Sequence, residues 1–134
     1  MVGAGHAGVE AAKIASKTGC KVSLVTMDKK SIGRMSCNPA IGGVAKGQIV
    51  REIDVLGGLM AKTTDVSGLQ FKILNKSKGR SVWSPRAQVD KRVYEQTISK
   101  AILSDKNITI VEGEATSLMV KNLSLIHISE PTRR

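Results

Sequence analysis

Met1-Val2 run directly into Gly3-Ala4-Gly5-His6-Ala7-Gly8, and this GxGxxG loop constrains the fold more than any other feature of the chain. The reason is steric. Gly3 permits a tight turn, Gly5 lets a pyrophosphate approach the backbone, and Gly8 lets the following helix pack closely on a sheet, while free N–H groups at the helix start meet the anion. Taken alone, the pattern is equally a structural glycine turn. Its context points to a ligand. Residues 7–18 are alanine-rich, with Val9, Ala12 and Ile14 apolar and a stop at Gly19, and so read as a helix. The β-branched run 21–26 follows at once as a strand.

Further along, residues 28–47 read as a long loop with a turn at Asn38-Pro39 and glycines at 42, 43 and 47. Residues 48–56 read as a helix ended by Gly57-Gly58, and residues 59–85 show little periodicity. Behind Pro85, the positions Val89, Val93, Ile98, Ala101 and Ile102 trace a helical face over 86–103, and 107–111 is a second short strand. This order predicts an α/β protein, a partial doubly wound, Rossmann-like parallel sheet. A loop of this kind follows a buried strand of about five residues. Only Met1-Val2 stand there, so the expectation is a sheet lacking most of its first strand, in a chain cut short at both ends. The acid that usually holds the adenosine ribose at the end of the second strand is replaced by Thr26, with Asp28 two residues later.

Composition narrows the function. At 134 residues, 41% apolar and 24% charged, the chain suits one globular domain. Aromatics make up only 2%, which disfavours an RNA platform of stacked aromatic rings. No apolar run approaches the roughly 18 residues of a membrane span, and no basic segment followed by an apolar one marks a secretory signal. Cys20 and Cys37 lack CxxC spacing, so neither a disulfide framework nor a metal site is expected. The net charge of +10 is concentrated between Lys72 and Arg92, where Lys72, Lys76, Lys78, Arg80, Arg86, Lys91 and Arg92 stand against Asp90 alone. Such a cluster attracts a polyanion through counterion release, and is otherwise a solvated basic face.

The last segment, LSLIHISEPTRR at 123–134, is similar to the translation of a transposase-type sequencing adapter. It is therefore expected to be a non-native tail behind a unit spanning 1–122. His127 falls within it and is not assigned a catalytic role.

The run Ile32-Gly33-Arg34-Met35-Ser36-Cys37-Asn38-Pro39-Ala40-Ile41-Gly42-Gly43-Val44-Ala45-Lys46-Gly47 carries more specific information. With GAGHAG before it, and REIDVLGGLM, GLQFKILNKSKG and PRAQVDK after it, residues 1 to about 122 resemble an N-terminal part of the GidA (MnmG) family. This is the flavin-binding subunit of the tRNA uridine 5-carboxymethylaminomethyl modification complex. The resemblance implies an FAD-binding domain, with FAD held at Gly3, Ala4, Gly5, His6, Ala7 and Gly8 and its adenine met by Ala115. It also implies NADH as reductant and methylene-tetrahydrofolate as one-carbon donor. Modification of the wobble uridine of certain tRNAs, a GTPase partner subunit, a homodimer and a cytoplasmic location follow from the same likeness.

Cys37 has two readings. It lies in a glycine-rich loop after the second strand, where Arg34, Lys46 or a helix N-terminus would favour a thiolate. The resemblance implies a catalytic cysteine there, a nucleophile or general acid/base on the uracil ring. The alternative is a small buried thiol, which is also the reading for Cys20. Among the basic residues, Lys76, Lys78, Arg80 and Arg86 are candidates for tRNA phosphates. Alternatively, Arg86, Gln88 and Asp90 open a helix and serve internal contacts. Two rival functions remain at this stage: another flavoprotein of the same fold, such as a folate-dependent tRNA uracil methyltransferase, and a non-enzymatic basic RNA-binding fragment. A disulfide reductase is disfavoured because it needs a close cysteine pair. Taken by itself, the 134-residue chain is expected neither to retain FAD nor to modify tRNA.

Overall fold

The structure is a computed structural model and describes residues 1–35, 38–117, 119–121 and 124–127. Cys37 lies outside the described residues. A parallel sheet and its covering helices form the first layer. Strand β1 (Val22–Thr26) pairs in parallel with β5 (Ile108–Glu112), Leu24 opposite Ile110. On the other side of β1, Val2 forms a parallel bridge with Val25, tied by Gly3 N–H to the Val25 carbonyl and by Val25 N–H to the Met1 carbonyl, both at 2.8 Å. The stub before the glycine loop is thus a short parallel strand beside β1, as the doubly wound reading requires.

Helix α1 (His6–Lys17) ends at Gly19, whose φ of +89° favours glycine. It buries Val9 and Ala12, which join Leu24 of β1 in the core. Helix α4 (Lys91–Leu103) contributes Tyr94, Ile98 and Ile102, all essentially inaccessible. No helix among the described residues is long and apolar enough to cross a membrane.

Between β1 and α4 the chain builds a second layer, of which the sequence pattern revealed the helix over 48–56 but not the strands or the second helix. It holds β2 (Ala40–Gly42), α2 (Lys46–Val55), α3 (Met60–Ser67), β3 (Gly68–Leu74) and β4 (Ser84–Val89). The three strands form an antiparallel sheet in the order β2-β4-β3. The helix expected over 86–103 is corrected here: 86–89 belong to β4, and the helix begins at Lys91. Two causes act together. β4 gains ladder hydrogen bonds on both edges, and Asp90 caps α4, its Oδ1 accepting from the N–H groups of Arg92 and Val93 at 2.8 and 3.0 Å. Arg86 and Gln88 are therefore strand residues and not a helix opening. The long loop expected over 28–47 likewise contains β2 and the first residues of α2. Strands β6 (Met119–Lys121) and β7 (Ser124–His127) form a separate hairpin.

Candidate cofactor site

The glycine loop has the backbone that its sequence demands. Gly3 has φ +89°. A Cβ on Gly8 would lie 1.8 Å from the Gly3 carbonyl oxygen, whereas a Cβ on Gly5 meets nothing within 4 Å. Gly8 therefore serves close packing, and Gly5 leaves open space where a ligand can come. Helix α1 starts with no side-chain cap and no acid in its first turn, and its first backbone hydrogen bond runs from Val9 N–H to the Gly5 carbonyl at 3.0 Å. The N–H groups of His6, Ala7 and Gly8 precede that ladder, which is the donor set an anion takes.

Gly3, Ala4 and Gly5 line a cleft of about 460 Å³ together with Thr26 from the end of β1 and Ala115 beyond the end of β5. The volume lies within the range of small-molecule sites. The structure thus brings Ala115, more than a hundred positions away in sequence, to the loop with which it was grouped. His6, Ala7 and Gly8 do not line the cleft; they form the first turn of α1.

Thr26 is buried and its hydroxyl donates to the Asp28 carbonyl at 3.2 Å, keeping its lone pairs available. Asp28 is occupied elsewhere, its carboxylate accepting from Lys30 N–H at 2.8 Å. The carboxylate that the cleft does contain is Glu114, which sequence reasoning passed over. Its signal was an acid next to Ala115, just past the strand 107–111.

His6 points away from the cleft and packs edge-on against Tyr94, with ring centroids 5.8 Å apart. Burial, then Lys46, lowers its pKa from 6.5. Neither His6 Nε2 nor the Tyr94 hydroxyl has a hydrogen-bond partner, and burial pushes the Tyr94 phenol well above its usual value. The segment entering residue 36 is held from three directions. Gly33 N–H donates to the Ala4 carbonyl at 2.8 Å, Ser99 Oγ to the Ile32 carbonyl at 3.3 Å, and Met35 N–H to Glu95 Oε1 at 2.9 Å. Cys20 is exposed rather than packed, contrary to expectation.

The basic residues Lys76, Lys78 and Arg80 are all exposed on the connection between β3 and β4, while Arg86 is half-buried on β4 itself. The connection is braced by Trp83, which donates through Nε1 to the Lys76 carbonyl at 3.3 Å and lies under the Arg80 guanidinium at 5.9 Å.

Residues 1–132 match the protein family described as glucose inhibited division protein A. The chain belongs to this family. Among curated relatives it is 52% identical over 122 residues to the tRNA uridine 5-carboxymethylaminomethyl modification enzyme MnmG of Endomicrobium trichonymphae, covering 91% of this chain and 20% of the relative. The enzyme of the same name from Aquifex aeolicus is 47% identical over 128 residues, covering 96% and 21%. The form I crystal structure of Aquifex aeolicus GidA superposes with a TM-score of 0.86 at 48% identity, over 93% of this chain and 21% of that one. The chain therefore spans about one fifth of the length of the relatives it matches.

Proposed function

We propose that this chain is the FAD-binding N-terminal part of an enzyme that installs the 5-carboxymethylaminomethyl group on the wobble uridine of certain tRNAs. The observation that carries this reading is the uncapped start of α1 at a glycine loop whose cleft also takes Thr26 and Ala115. That arrangement fits a dinucleotide: the N–H groups of His6, Ala7 and Gly8 hold the pyrophosphate, Gly5 leaves it room, and Ala115 meets the adenine. Thr26, Ser31 and Glu114 supply the polar side chains of the cleft that a ribose can meet. Bound there, FAD supplies redox chemistry.

NADH is the reductant in this reading and methylene-tetrahydrofolate the one-carbon donor. Cys37 acts on the uracil ring, and α4 sets the position of its loop through Met35, Ile32 and Gly33. The enzyme works in the cytoplasm as a homodimer with a GTPase partner subunit. Residues 1–122 are the N-terminal part of the FAD-binding domain, and 123–134 are a tail foreign to it.

The test is nucleoside analysis of tRNA incubated with the full-length protein carrying this segment, its GTPase partner, NADH and methylene-tetrahydrofolate, with GTP, and with glycine as the source of the group's aminoacetate part, present throughout. Appearance of the 5-carboxymethylaminomethyl uridine, dependent on both small molecules and accompanied by a flavin spectrum, is expected. A colourless full-length protein that leaves the wobble uridine unchanged overturns the reading.

A further inference from the structure

The antiparallel sheet β2-β4-β3 has two unlike faces, because side chains alternate along each strand. One face, with Ile41, Phe71, Ile73 and Ala87, turns towards Val50 of α2 and Ala61 of α3. The other carries Gln70 opposite Gln88 and Lys72 opposite Arg86, in register across β3 and β4. These four side chains line a depression of about 150 Å³. Ala40 and Gly42 of β2 continue the same two rows and leave that side low. Gly42 is required there, since a Cβ would lie 2.1 Å from the Pro85 carbonyl oxygen.

Two cations placed directly opposite each other on a sheet oppose its stability. The ion pairs among the described residues are Lys13 with Asp105 and Lys29 with Glu112, and neither involves Lys72 or Arg86. Asp65 lines the neighbouring groove but makes no ion pair with either cation, and a sheet that keeps such a pair with no carboxylate in contact presents a seat for an external anion. The neighbouring row adds two primary amides, each offering a donor and an acceptor, which complement the imide edge of a uracil. The basic residues continue from this face along the β3–β4 connection through Lys76, Lys78 and Arg80, so the anion is part of a chain of phosphates rather than an isolated ion.

We propose that this face binds one unpaired nucleotide of an RNA, with Lys72 and Arg86 sharing its phosphate and Gln70 and Gln88 reading a pyrimidine edge. The inference rests on the tRNA reading above and names the part of this chain that takes the RNA.

Binding of an anticodon stem-loop RNA to the full-length protein, titrated with salt, tests it. Lys72→Gln and Arg86→Gln should each weaken binding about tenfold and reduce the slope of log K against log salt by about 0.7. FAD absorbance should be unaltered. Arg86→Lys keeps the charge and should keep the slope, which guards against a packing loss at this half-buried position. Gln88→Leu should abolish any preference for uridine over adenosine at the wobble position. Variants that bind RNA with unchanged affinity and slope overturn the assignment while leaving the proposed function standing. Variants that instead slow flavin reduction by NADH also overturn it, because the face then serves the dinucleotide. A wild-type protein that binds no RNA brings down the proposed function and this inference together.

Discussion

A Cβ on Gly8 would meet the Gly3 carbonyl at 1.8 Å, and one on Gly5 would meet open space; two residues of one loop therefore answer different questions. Gly8→Ala should drive α1 off the loop, seen as loss of the cooperative thermal transition by circular dichroism. Gly5→Val should retain that transition, because its new methyls enter the cleft and not the protein, yet the full-length variant should purify without flavin. Cys37→Ser in the full-length protein should keep FAD and lose wobble-uridine modification, since a hydroxyl replaces the ionisable thiol at nearly equal volume. His6 gives a pH signature. Its folded pKa is lowered by burial and by Lys46, so the stability contributed by the neutral imidazole is present above pH 6.5 and lost as pH falls below it. His6→Gln should flatten that part of a plot of melting temperature against pH.

Helix α4 packs Tyr94 against His6 of the glycine loop and holds the segment that follows β1. Ile98 is buried, a Cβ on Gly33 would lie 2.5 Å from its Cγ2, and Ser99 and Glu95 hold the backbone at Ile32 and Met35. Ile98→Ala should cost about 2–5 kcal/mol, read from the urea midpoint. A second tie joins α1 to the turn before β5. Asp105 accepts from Lys13 Nζ at 2.6 Å and Ser16 Oγ at 2.7 Å, and these bonds, with the Asn107 N–H, lower its pKa to about 2. The stability this carboxylate contributes is present above the unfolded value near 4 and disappears as pH falls towards 2. Asp105→Asn should remove that acid limb and leave the curve above pH 5 parallel to that of the parent.

On the scale of the whole molecule, β3 is an edge strand whose Leu69 and Phe71 are 70% and 60% exposed. The groove beside it, about 300 Å³, is lined by Ile41, Val50, Phe71, Ile73 and Ala87. An unpaired strand edge beside an apolar face pairs readily with another copy. The 134-residue chain by itself should therefore self-associate with rising concentration in light scattering, and Phe71→Lys should shift it towards monomer. Flavin affinity should be weaker in this chain than in the full-length protein, measured by quenching of flavin fluorescence.

Much of this was legible in the residues. The glycine loop, the alanine-rich α1 and the β-branched β1 and β5 are local patterns, in which spacing and backbone sterics decide the outcome without help from distant parts of the chain. The run around Asn38-Pro39 carried the family. Other features depended on tertiary contacts. The strand at 86–89 reads as the start of a helix until β2 and β3 pair on its two sides and Asp90 caps the helix behind it. The three-residue β2 and the polar α3 have too few apolar positions to declare a period. The meeting of Ala115 with Gly3, the withdrawal of His6 towards Tyr94, and the alignment of Lys72 with Arg86 join residues far apart in sequence. Register and packing bring such partners together, and neither is encoded in any one segment.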